Sequence, residues 1–154
     1  MTKPPRASKK ARLTSARLAA VQALYQQSLS GNSLSDVKSQ FLDHYVSKDM
    51  DGEVFVAPDE SHWLQVVDGV EQYGWQMDQR IDEAVKSAQP DRKTENIDVL
   101  LRLIMRCGCF ELDNKLNEPA IIINDYVNVA KAFYQLKESS LINAVLDKIA
   151  KTQS

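Results

Sequence analysis

Cys107-Gly108-Cys109 and the histidines His44 and His62 are the residues whose types suit thiol or metal chemistry, and their spacing speaks against both. On a helix, residues two apart point roughly 200° away from each other. The two thiols therefore cannot share a metal or close a relaxed disulfide without unwinding the turn, and buried core thiols are the better reading. The histidines fall in different elements, with no carboxylate pair at zinc spacing, and read as surface or interhelix residues. Glycine-rich phosphate loops, nucleophile elbows and kinase signatures are all missing from the sequence. These residues point away from an enzyme.

Phosphate binding is the chemistry that the charges suit. The formal net charge is −2, but Lys3, Arg6, Lys9, Lys10, Arg12 and Arg17 all precede the first acidic residue, Asp36. The rest of the chain holds 13 of the 19 basic residues against all 21 acidic ones, a net of −8. An acidic body thus bears a basic arm, and such arms neutralise phosphates and release counterions. A solvated disordered tail has the same composition. So does a transit peptide, although this arm runs without a cleavage-like break into an amphipathic helix. Arg17 stands apart from the other cations, within about 40° of Leu13 and Leu24 on its helix. A charge beside an apolar stripe must be paired or snorkel, so an interhelix salt bridge and a nucleic-acid phosphate are both open to it.

The elements that position these residues follow a helical period, and strand alternation is nearly absent. A first helix spans about Lys10 to Leu29 and stops at Gly31-Asn32. Ser33, with Asp36 three residues on, starts a second helix whose stripe is Val37, Phe41, Leu42 and Tyr45. Residues 47 to 58 read as a loop on the strength of Asp51-Gly52 and Pro58. From Asp59, Trp63, Val66, Val67, Val70 and Tyr73 form a third helix; Gly74 marks a break, and Met77, Ile81 and Val85 continue in a fourth. Pro90-Asp91-Arg92-Lys93 is the expected domain boundary. Beyond it, Ile97 to Leu112 is apolar around most of its circumference, as a central helix is, with Arg102 and Arg106 as its notable charges. Two amphipathic helices follow. One starts at Asn117 or Glu118, with Pro119 in the first helical position, and carries Ile123, Tyr126, Val127, Ala130, Phe133 and Tyr134. The other follows a polar break from Lys137 to Ser140 and carries Leu141, Ile142, Val145, Leu146 and Ile149. The expected organisation is all-α: a basic flexible arm at 1–12, an N-terminal helical subdomain at 13–89, and a C-terminal three-helix subdomain at 90–154.

Asn124, Asp125, Lys131, Asn143, Asp147 and Lys148 recur on the last two helices in an order that helix formation alone does not require. With their neighbours they read Ile123-Asn124-Asp125, Ala130-Lys131-x-Phe133 and Ile142-Asn143-Ala144-Val145-Leu146-Asp147-Lys148-Ile149. This pattern resembles the C-terminal signature of NusB, a family of bacterial transcription antitermination factors. Ala16-Arg17-x-x-Ala20-Val21-Gln22-Ala23-Leu24-Tyr25 resembles the family's first helix, and Leu103-x-x-Arg106-x-x-x-Phe110-Glu111-Leu112 its central C-terminal helix. Three segments in the right order span most of the chain. The resemblance implies two small helical bundles packed side by side and no catalysis, metal or cofactor. It implies an adaptor that binds NusE, which also serves as a small-subunit ribosomal protein. The pair would recognise the single-stranded boxA element of nascent ribosomal RNA, then join RNA polymerase and other factors to suppress premature termination. Arg17 matches an arginine of the family's N-terminal arginine-rich motif, and Lys3, Arg6, Lys9, Lys10 and Arg12 would supply further phosphate contacts. The exposed end of the first helix near Tyr25 and Leu29 would meet NusE, although a tyrosine there equally suits the core.

Departures from the family pattern shape a second expectation. Leu13-Thr14-Ser15 stands where typical members carry arginines, and Leu141 where an aromatic residue is implicated in RNA contact. Tyr134 and Ala144 replace glycines. A protein-only scaffold that binds NusE without sequence-specific RNA recognition is therefore the alternative. A regulatory domain like that of some RNA methyltransferases is set aside, since neither a catalytic domain nor a cofactor-binding motif follows. Self-association into a homodimer, which in some members would cover the RNA face, stays open. Two cysteines, no signal-like segment and no run of eighteen apolar residues point to a cytoplasmic protein without membrane contact. At 154 residues and 44% hydrophobic, the chain suffices for one core or two small linked ones.

Overall fold

Ser8 accepts a hydrogen bond from the Ala11 amide and so starts the first helix, α1 (Lys9–Ser30), which ends where Gly31 takes φ of 71° and returns its N–H to Gln27. The computed structural model describes residues 7–50 and 56–152, and over 44–50 the backbone alone. Lys3, Arg6 and the Asp51-Gly52 pair lie outside the described residues, as do the side chains of His44 and Tyr45. The described part of the basic arm is not an arm: Lys9, Lys10 and Arg12 sit on the first turns of α1.

Five more helices follow among the described residues: α2 (Leu34–Met50), α3 (Glu60–Ala88), α4 (Val99–Asp113), α5 (Pro119–Phe133) and α6 (Leu136–Lys151), with a 3-10 turn at Thr94–Asn96. No strand occurs among the described residues, and the chain is all-α. Ser33 caps α2 by accepting from the Asp36 amide, and Asp59 and Asp98 cap α3 and α4 in the same way through the His62 and Leu101 amides. Helix α2 runs to Met50, further than the expected loop start at 47.

Two expectations fail for physical reasons. Gly74 does not break the chain, and α3 is one helix of 29 residues. A Cβ at Gly69 would meet the Phe110 ring at 2.2 Å, and one at Gly74 would meet Arg106 Cδ at 3.1 Å, so both glycines let α4 lie close against α3. Gly108 does the same for α6, where a Cβ would fall 2.6 Å from Leu146. The polar stretch from Lys137 to Ser140 is likewise no break but the first turn of α6, in which buried Ser139 bonds back to the Leu136 carbonyl.

Helix α4 is central, packing against α1, α3, α5 and α6, and Leu101, Ile104 and Met105 are fully buried. Each such side chain contributes about 1.5–3 kcal/mol. The segment around Pro90 lies between α3 and α4, yet α3 also packs on α6, and one continuous apolar cluster runs through both halves. Cys107 and Cys109 are buried and free, and burial pushes the Cys109 thiol up to about 12. No helix among the described residues is long and apolar enough to cross a membrane.

Candidate nucleic-acid interface

Three cations gather where α1 begins. Lys9 pairs with Asp59, Arg12 Nη1 lies 3.7 Å from the same carboxylate, and Lys10 is exposed. The start of a helix already carries partial positive charge, and α1 has no acidic residue in its first turn to offset it. Asp59 comes from the segment before α3, which is tied to α1 by two bonds: the Asp59 amide donates to the Arg12 carbonyl at 3.0 Å, and Ser15 Oγ donates to the Val56 carbonyl at 2.7 Å. The cations at Lys9 and Arg12, together with the carboxylate bonds, hold Asp59 below the usual aspartate value of 3.8.

Arg17 lies two turns further along, and the structure places it in the core. It is 1% exposed; Nε and Nη2 donate to Glu111 at 2.8–3.1 Å, and Nη1 donates to Asp125 at 2.8 Å. Of the two readings open to it, the interhelix salt bridge is the one built. Its guanidinium cannot face a phosphate in this arrangement, which corrects its assignment as an RNA contact. Burial opposes the charge, but the bonds to Glu111 and Asp125 outweigh it and hold the group above the ordinary arginine value.

Glu111, fully buried, is the hub. Besides Arg17 it accepts from the Tyr126 hydroxyl and shares a 2.9 Å bond with His62 Nε2. Burial pushes its carboxyl up, yet the His62 and Arg17 bonds hold it below the ordinary glutamate value of 4.5. Burial, then the Glu111 charge, raises the Tyr126 phenol. Asp125 also accepts from Thr14 at 3.0 Å. One polar network thereby joins α1, α3, α4 and α5, and fixes the direction in which α1 presents its cations. Sequence reasoning passed over Glu111, although a carboxylate between Phe110 and Leu112 on a nearly all-apolar helix was the signal: a buried Arg17 needs such a partner.

The residues that depart from the family pattern also find places. Leu141 is 1% exposed and packs in the core. Tyr134 closes α5 and donates its hydroxyl to Asp98 at 2.5 Å, linking the α5–α6 corner to the start of α4.

A second surface lies at the other end of α1. Leu29 is 69% exposed, while Tyr25 is half-buried against the core, within electrostatic reach of Tyr134. Beside them a cleft of about 550 Å³ opens between α1, α3 and α4, walled by Leu24, Val70, Trp75 and Val99 with Arg102 and Arg106. Those two arginines are held by Asp78 and Asp82 on α3.

Comparisons with known proteins agree across the chain. The model of the NusB family matches residues 14–151. The transcription antitermination protein NusB of Rhodopseudomonas palustris strain BisB18 is 38% identical over 149 residues, covering 96% of this chain and 86% of the relative. That of Sinorhizobium fredii is 39% identical over 137 residues, covering 88% and 84%. Among solved structures, T. maritima NusB superposes with a TM-score of 0.69 at 19% identity over 98% of this chain and 94% of that one, a likeness of fold.

Proposed function

Since this chain belongs to the NusB family of transcription antitermination proteins, we propose that it is the RNA-binding adaptor that, with NusE, recognises boxA in nascent ribosomal RNA. The assembled complex then keeps RNA polymerase from terminating early, and no catalytic step is needed. The observation that carries this reading is the cation cluster of Lys9, Lys10 and Arg12 at the start of α1, held in one orientation by the buried Arg17–Glu111 network. Lys3 and Arg6 would add further phosphate contacts. Phosphate contacts of this kind position a single strand, and the protein partner adds specificity. NusE would dock at the far end of α1, where Leu29 is exposed beside Tyr25 and a cleft of mixed apolar and polar lining. The two surfaces lie at opposite ends of one helix, so both ligands can be held at once.

The scaffold alternative draws on two observations: Leu141 is buried and Arg17 is engaged by carboxylates, which removes two side chains the family resemblance would assign to RNA. Fluorescence-anisotropy titration of boxA-type and scrambled RNA, with and without NusE at two salt concentrations, separates the readings. Preferential boxA binding strengthened by NusE is the expected result. NusE capture without any RNA preference would leave the scaffold.

A further inference from the structure

We propose that Asp59 is an internal competitor for RNA: its carboxylate occupies Lys9 and Arg12 in the free protein, a backbone phosphate displaces it, and the cost of that exchange sets the affinity of the α1 cation cluster. The inference rests on the RNA-adaptor reading and adds to it a residue that limits binding.

The two oxygens of Asp59 have separate tasks. Oδ1 accepts the His62 amide at 2.9 Å and caps α3. Oδ2 faces the cations, pairing with Lys9 and lying 3.7 Å from Arg12 Nη1. A cap needs only one acceptor, and Ser, Thr or Asn serves as well as Asp. The negative charge is therefore not required for the helix start; it adds to the cap through the helix dipole, and its other partners are the cations of α1. Its position is also not adjustable: the Asp59 amide is bonded to the Arg12 carbonyl and Val56 to Ser15, so the carboxylate rides on α1 wherever α1 goes. Lys9, by contrast, keeps 65% of its side chain exposed, and its ammonium can swing from carboxylate to phosphate. Arg12 is 17% exposed, with Nε donating to the Ala7 carbonyl at 3.3 Å, so its guanidinium is held at the helix start beside Asp59.

Asp59→Asn isolates the charge, because the amide keeps an oxygen for the cap and turns an NH2 toward the cations. Asp59→Ser, a second cap-competent variant, should move binding in the same direction. Glu60→Gln, an exposed neighbour in the first turn of α3, removes the same charge without touching Lys9 or Arg12. In anisotropy titrations of boxA-type RNA over a salt series, Asp59→Asn should bind about three- to ten-fold more tightly at low salt. Its log–log salt slope should steepen by about 0.7 for each cation that gains a phosphate. Glu60→Gln should move affinity by less than about twofold, and the Asp59→Asn gain should vanish in a Lys9→Met, Arg12→Met background. Wild-type binding that Asp59→Asn leaves unchanged overturns the inference while the RNA reading stands. A gain matched by Glu60→Gln, or one that survives the double background, also overturns it. Failure of wild type to bind any RNA at low salt removes the inference and the RNA reading together, whether or not Asp59→Asn binds.

Discussion

Glu111 is bonded by three side chains from a fully buried position, and Arg17, His62 and Tyr126 each come from another helix. Removing it strands the Arg17 guanidinium at 1% exposure with Asp125 as its remaining carboxylate. Breaking one side of a buried pair is costly because the other charge stays desolvated. Glu111→Ala should lower unfolding stability by about 3–5 kcal/mol in urea titrations, well above the effect of an exposed substitution. The same residue sets a pH limit. Glu111 and Asp78 are each pushed up by burial and pulled further down by their partners, His62 and Arg17 for the first, Arg106 and Arg102 for the second. Both end below their ordinary values of 4.5 and 3.8, so the folded state binds fewer protons than the unfolded chain. The stability they contribute is complete above about pH 4.5 and drains away as pH falls through their folded values. Urea midpoints measured at neutral pH and at pH of about 3 to 4 should fall accordingly, and Glu111→Gln should flatten part of that fall. At this scale the sequence showed that Arg17 required a partner but not which one, because the partner is 94 positions away and no local spacing links them.

The helices themselves were largely legible, since caps and apolar stripes act over one or two turns. Ser33, Asp59 and Pro119 stand where the helix starts were expected. Glycine was the ambiguous signal. Inside a helical pattern it marks either a break or a close approach, and only the neighbouring helix decides which. The three buried glycines therefore differ in their tolerance of alanine. Gly69→Ala forces a Cβ into the Phe110 ring and should cost about 1–3 kcal/mol. Gly74→Ala meets the flexible Arg106 side chain at 3.1 Å and Val70 Cγ1 at an ordinary 3.4 Å, and the gain in helix propensity of about 1 kcal/mol should bring it near neutral. Denaturation midpoints of the two variants would order them; equal losses would show that α4 does not approach α3 as described. The first turn of α6 teaches a related lesson. Lys137 to Ser140 is polar, yet Glu138 complements the helix dipole and Ser139 bonds inward, so polarity alone did not end a helix.

Across the whole molecule, α1 is the element on which both proposed surfaces depend. Its first turns carry Lys9, Lys10 and Arg12, its middle is locked through Arg17, and its end exposes Leu29 beside the cleft. The surfaces should therefore be separable by mutation. Leu29→Asp should weaken NusE capture about tenfold or more. Because Leu29 is 69% exposed, unfolding stability should stay within about 0.5 kcal/mol and RNA binding by the protein alone should not change. Loss of RNA binding in this variant would mean that the two ends of α1 are not independent.

The sequence by itself determined the helical class, most helix starts, the basic N-terminal charge and the family, because these depend on composition and on residues within a few turns of one another. Tertiary structure alone decided that Arg17 is a core residue, that Glu111 joins four helices, that Leu141 is buried, and that Asp59 sits against the cations of α1. Each of these brings together residues from distant parts of the chain. The free energy of such a pair depends on burial and distance, quantities that exist only once α4 lies at the centre and the other helices have closed around it.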